Sequence, residues 1–306
     1  WAALPPRSRE LPPMADLVAE MEERGVRALF LYPQQYRFTL DDWCVDEMLG
    51  PLAEKRVPLF ICPSDMVAGS PADQTDWPGV VRLCQAFPEL PVIVSETRIL
   101  RTLRTVYAAL DACPNLHLDL SALWLHHIVE FITREWGAHR LLFGSDLPER
   151  EPGATLGQLV FSDISEADMA AIAGGNLRSL LSWSRRSPLP QAEVAFPEPV
   201  DELHAIARDG GSLRGQGFRC AHGHLGRHSH LHIPDSSPKE LIEEMDRLGV
   251  ASSTIFANAG MNSDETYGND LVAEAMRAYP GRFQGLVTLN PNRSIEEMER
   301  EFLRGL

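Results

Sequence analysis

Residues 14–33, MADLVAEMEERGVRALFLYP, carry a helix pattern that gives way at a glycine to a strand pattern. Leu17, Val18 and Met21 recur on one helical face, and Gly25 is the residue type best suited to the left-handed position that ends a helix. Beyond it, VRALFLYP (26–33) is a short apolar run of the kind that makes a buried strand. The same strand signal returns in VPLFICP (57–63), LPVIVSE (90–96), LHLDLS (116–121) and RLLFGSD (140–146), then in FRCAHGH (218–224), VASSTIFA (250–257) and FQGLVTLN (283–290). Short strands alternating with amphipathic helices are the mark of repeated βα units and a parallel sheet.

Helix ends can be read along the chain in the same way. KELIEEMDRL (239–248) repeats the first design and stops at Gly249, Ser165 with Glu166 and Asp168 reads as a helix start, and Asn176 in GGNLRSLL is expected to cap a further helix. Between 184 and 216 the alternation fails. SRRSPLPQAEVAFPEP (184–199) holds four prolines and GGSLRGQG (210–217) is rich in glycine, with the short helical stretch VDELHAIAR between them. This reads as a linker between a first segment, 1–183, and a second, 217–306.

The 306 residues, 44% of them hydrophobic, suffice for one large α/β barrel or two ordinary domains. A formal charge of -15 leaves no basic surface of the kind that neutralises phosphate, so a small molecule is a better partner than nucleic acid. Cys44, Cys62, Cys84, Cys113 and Cys220 are odd in number and scattered, and read as reduced thiols of a cytoplasm. No apolar run approaches the roughly 20 residues of a membrane span, so no membrane partner is expected, while a homo-oligomer stays open. The chain opens on Trp1 rather than Met, and its true beginning is expected to lie upstream.

One internal repeat bears on architecture. LVTLNPNRSIEEMEREFLRG (286–305) resembles WAALPPRSRELPPMADLVAEMEERG (1–25), and Pro291 minus Pro6 gives an offset of 285, near one barrel's length. Both segments read as strand, proline-containing loop, helix and Arg-Gly stop. A clean circular permutation contains such a unit once, so its duplication points to a stretch cut from a tandem of two barrels.

FRCAHGHLG (218–226) resembles the first strand of the amidohydrolase superfamily, in its amidohydrolase-related branch of decarboxylases and hydrolases. HRLLFGSDLP (139–148) resembles that family's eighth strand, and GGNLRSLL the helix that follows; DRLGVASSTIF and NDLVAEAMRAYPGRFQGLVTLNP resemble strands two and three. The resemblance implies a (β/α)8 TIM barrel of the metal-dependent hydrolase type, with strands in the order four to eight and then one to three. Five strands plus three make eight, and half a barrel leaves two open edges. The two segments are therefore expected to close on each other, with 218–224 beside 140–146 in parallel.

The resemblance also implies a divalent ion, zinc for preference, held by His222 and His224 and completed by Asp146 or Glu96. Residues i and i+2 of a strand point to one side, so both imidazoles can reach one ion. Asp146 is the candidate general base for metal-activated water, in hydrolysis of an amide or lactone or in non-oxidative decarboxylation. Alternatives stand beside each assignment. The two histidines could be ordinary strand residues, Asp146 could brace a loop, and Glu96 could pair with Arg98. Cys62 stands where the family's fifth strand commonly ends in a ligand histidine, and reads as a substrate contact or as a core filler. Tyr32, with Phe30, replaces the fourth strand's frequent Lys-x-His, and Tyr32 reads as a substrate contact. Trp124, with His126 and His127, follows the seventh strand at the mouth where barrel sites form, and reads as a substrate contact or as packing. His228, His230 and His232 read as loop residues. A barrel that kept its fold and lost its ligands, serving in binding or regulation, is the competing reading.

Overall fold

Among the described residues eight parallel strands form at the eight apolar runs, with helices between them. The computed structural model describes residues 1–5, 12–62, 75–95, 103–147, 152–184, 198–209, 211–228 and 232–305. Within Trp1–Ala192, the first of two compact units, the order is α1 (Met14–Arg24), β1 (Leu29–Leu31), α2 (Asp42–Lys55), β2 (Leu59–Ile61), α3 (Trp77–Ala86), β3 (Val92–Val94), α4 (Leu103–Ala112), β4 (Leu116–Asp119), α5 (Ile128–Trp136), β5 (Leu141–Leu142), α6 (Gly153–Val160), α7 (Glu166–Ala170) and α8 (Asn176–Leu180). Within Glu193–Leu306 it is α9 (Glu202–Asp209), β6 (Arg219–Leu225), α10 (Pro238–Leu248), β7 (Ser252–Ala257), α11 (Asn258–Asn262), α12 (Glu265–Ala278), β8 (Phe283–Gly285) and α13 (Ile295–Gly305). The division between the units falls inside the expected linker.

In the first unit the strands pair side by side in chain order, β1 to β5, each parallel to the next. The pleat sorts their side chains. Leu29, Leu31, Leu59, Ile61, Val92, Val94, Leu116, Leu118 and Leu141 join the core that the helices cover, built with α1 residues Leu17, Val18 and Met21. Ile93, Leu142 and Cys62 are also buried but lie outside that core, and with Phe30, Phe60 and His117 they belong by alternation to the sheet's second face. Phe30 stacks on Phe60 there with centroids 4.5 Å apart.

Helix ends follow the expected chemistry. Gly25 (φ 73°) and Gly249 (φ 83°) take the left-handed conformation, and Ser165 Oγ accepts from Asp168 N at 3.1 Å. Asn176 differs from its expected role as a cap. It is itself helical, and its Nδ2 donates to the carbonyls of Ala138 and Leu141, both at 2.8 Å, tying the helix to the entry of β5.

In the second unit β6, β7 and β8 form their own parallel sheet. The repeat is visible in backbone terms. Ala3 N donates to Phe30 O at 3.0 Å and Phe30 N to Trp1 O at 2.7 Å, a parallel bridge on the outer edge of β1, with α1 following. Leu286 N donates to Ile255 O at 2.9 Å, extending the β8 ladder ahead of α13.

Candidate functional site

The second unit holds the histidine pair. His222 and His224 stand near the C-terminal end of β6, and their Nε2 atoms face each other at 2.9 Å. Both rings lean on Phe256 of β7, with centroids 5.8 and 4.3 Å away. The register between β6 and β7 shifts between Cys220 and Gly223, and such a bulge re-aims a side chain next to a site. Gly223 is tightly constrained: a Cβ there would come 2.7 Å from Ser253 Oγ and 3.4 Å from Thr254 O. A side chain between the two histidines would push β6 away from β7.

Burial, then the neighbouring His222, lower the His224 pKa below the ordinary imidazole value, with Asn258 opposing. His224 therefore stays neutral near pH 7 and keeps a lone pair. Two imidazole nitrogens 2.9 Å apart can both reach one ion, since Zn–N distances are about 2.0–2.1 Å. The pair fits a divalent metal.

The first unit presents a row of residues where its strands end. Tyr32, Cys62, Ser95 and Asp119 each follow or end a registered position of β1 to β4, two residues beyond Phe30, Phe60, Ile93 and His117 on the second face. Tyr32 is half-buried and packs edge-on against Tyr36 at 6.4 Å and parallel to Phe30 at 6.5 Å. Cys62 is 1% exposed, and its backbone N–H donates to Leu31 O. Asp146, half-buried, follows β5 in the left-handed conformation at φ 56°. Glu96, with Arg98, lies outside the described residues, as does His230. Asp146 belongs to the first unit and the histidine pair to the second.

Trp124 is 43% exposed, with Nε1 3.4 Å from Thr155 Oγ1. The His126 and His127 rings lie tilted against each other with centroids 3.8 Å apart, and His127 Nδ1 lies 3.2 Å from Glu130 Oε1. Burial pushes the Glu130 pKa up, but His127 and the Asp163 N–H outweigh it, and the carboxyl ends below its usual value.

Ser95, Asp119, Ser121 and Gly144 went unread in the sequence. Asp119 Oδ1 accepts from Ser121 N at 3.0 Å and Ser121 Oγ at 2.6 Å, while Ser95 Oγ donates to Oδ2. The signal was present in LHLDLS: a carboxylate at the last position of a buried strand sits at the edge where barrel sites form.

The amidohydrolase family model matches residues 1–183. No curated protein matches the chain. Among solved structures, the uncharacterised TIM-barrel protein Bb4693 from Bordetella bronchiseptica is 21% identical over 58% of this chain and 66% of its own, with a TM-score of 0.47. The 5-carboxyvanillate decarboxylase of Sphingomonas paucimobilis is 14% identical over 55% and 62%, with a TM-score of 0.42. A dihydroxybenzoic acid decarboxylase from Polaromonas sp. JS666, with bound manganese, is 16% identical over 56% and 66%, also at 0.42. The chain spans 62–66% of the length of these structures.

Proposed function

Because this chain belongs to the amidohydrolase family, whose model matches residues 1–183 of 306, we propose that it is a metal-dependent enzyme acting on a small molecule. Its reaction is either hydrolysis of an amide or lactone or non-oxidative decarboxylation of a small carboxylic acid. The observation that carries this reading is the pair of facing imidazoles, His222 Nε2 and His224 Nε2, 2.9 Å apart. They would hold the ion, zinc by preference for imidazole and carboxylate donors; Asp146 and Glu96 are the carboxylates that the family resemblance implies as further ligands.

A bound divalent metal supplies Lewis-acid polarisation and lowers the pKa of its water. In a hydrolysis Asp146 would be the general base: its carboxylate oxygen would take the proton of the attacking water and give it to the leaving group. The strands from 26 to 146 are proposed as the family's fourth to eighth and those from 218 to 290 as its first to third. The charge of -15 and five free cysteines favour a small-molecule substrate and a reducing compartment, and no helix among the described residues is long and apolar enough to cross a membrane.

One observation favours a second reading, a barrel without catalysis. The second strand of the first unit ends in Cys62, 1% exposed, and the first leads into Tyr32 within an aromatic stack, so two strand ends offer no imidazole. Metal uptake decides between the readings. On the enzyme reading His222→Ala and His224→Ala lose the ion, Cys62→Ser keeps most of it, and Asp146→Asn holds some but gives no turnover of lactone or aromatic-acid substrates.

A further inference from the structure

Asp146 is a non-glycine residue at φ 56°, a conformation that an L residue keeps only where its surroundings hold it. What stands beside its loop is Asp119. At Gly144, two residues earlier, a Cβ would lie 2.9 Å from Asp119 Oδ2, 3.0 Å from its Cγ and 3.2 Å from its Cβ. The backbone between β5 and Asp146 thus rests directly on the Asp119 side chain, at a distance only glycine permits.

The Asp119 side chain is itself fixed from both sides. Ser121 donates twice to Oδ1, from its backbone N and from Oγ, and Ser95 Oγ donates to Oδ2. Both serines are buried, at 1% and 7% exposure. Three hydrogen-bond donors converging on one carboxylate hold it in place.

We propose that Asp119 is a positioning residue: with Ser95 and Ser121 it forms the platform on which Gly144 rests, and so fixes where the carboxylate of Asp146 stands. Its consequence for metal binding rests on the function proposed above, whereas the positioning itself does not. Residues that orient a ligand in this way typically change metal affinity when replaced.

The test uses the full chain with two readouts, hydrogen exchange of the backbone amides of 143–147 and titration with Mn²⁺. Asp119→Ala and Gly144→Ala should each cost 143–147 their protection and weaken Mn²⁺ binding about 10- to 100-fold. In the double variant the shortened residue 119 makes room for the new methyl, so the combined effect should be no larger than that of Gly144→Ala alone. Ser95→Ala, which removes one donor and leaves the carboxylate, should loosen 143–147 more mildly and serves if Asp119→Ala does not fold. Unchanged exchange at 143–147, or effects of the two substitutions that simply add, would overturn the proposal. A wild-type chain that takes up no Mn²⁺ would defeat the metal reading alone, and the exchange data would still decide the positioning.

Discussion

His117 lies on the second face of the first unit's sheet, 8% exposed, with Nδ1 3.0 Å from the His139 carbonyl oxygen. A carbonyl only accepts, so Nδ1 carries the proton and the neutral ring has its lone pair on Nε2. Burial above all, with the charge of Arg140 adding to it, brings the pKa from 6.5 down to about 4, the His139 hydrogen bond opposing. The unfolded chain thus binds this proton more readily than the folded one. Stability is full above about pH 6.5 and falls with pH until the folded value near 4 is reached, a loss approaching about 3 kcal/mol. His117→Leu should flatten the stability profile between those values in urea melts across pH; an unchanged slope would show that His117 is not the group responsible. Gly223 makes a second residue-scale prediction. Its missing Cβ lets β6 approach β7, so Gly223→Ala should weaken metal uptake while leaving both imidazoles in the chain, and unaltered uptake would count against the close approach as the reason for glycine. The His-Gly-His signal was legible because strand alternation and one small residue fix it locally. Asp119 was not, because its role depends on Ser95 and Gly144, each distant in sequence.

Elements were the most legible scale. Seven of the eight runs contain their strand, β6 passes its run by one residue at Leu225, and α1 occupies the bounds expected for it, Met14–Arg24, with Gly25 left-handed at φ 73°. The reason is physical: a strand buried on both faces, as β3 is, is apolar throughout, and a left-handed helix end selects glycine. The strands proved short, three residues in β1, β2 and β3, since pairing stops where the chain turns away and sequence does not mark that point. Asn176 was misread for a related reason. An amide before a helical run has the look of a cap, but here both of its bonds go to carbonyls across the fold. Asn176→Ala should therefore cost about 1–3 kcal/mol by removing the amide's donor from the Leu141 carbonyl, while Ala138 O keeps the Leu141 N–H, measured as a lower urea midpoint with unchanged m-value. A loss of only a few tenths would mean that solvent replaces the amide.

At the scale of the whole molecule, charge and composition were legible, and the two compact units divide between Ala192 and Glu193, within the proline- and glycine-rich stretch. Among the described residues the sheet of five strands and the sheet of three are each parallel throughout. Family membership rests on residues 1–183, whereas the imidazoles proposed to hold metal lie in the other unit. Metal binding is therefore the claim on which the account turns. The most direct measurement is elemental analysis of the purified full chain after dialysis at neutral pH, beside His222→Ala. The account predicts a divalent ion in stoichiometric amount in the wild-type protein and its loss in the variant; a wild-type chain without bound metal, or a variant that keeps it, would contradict the account.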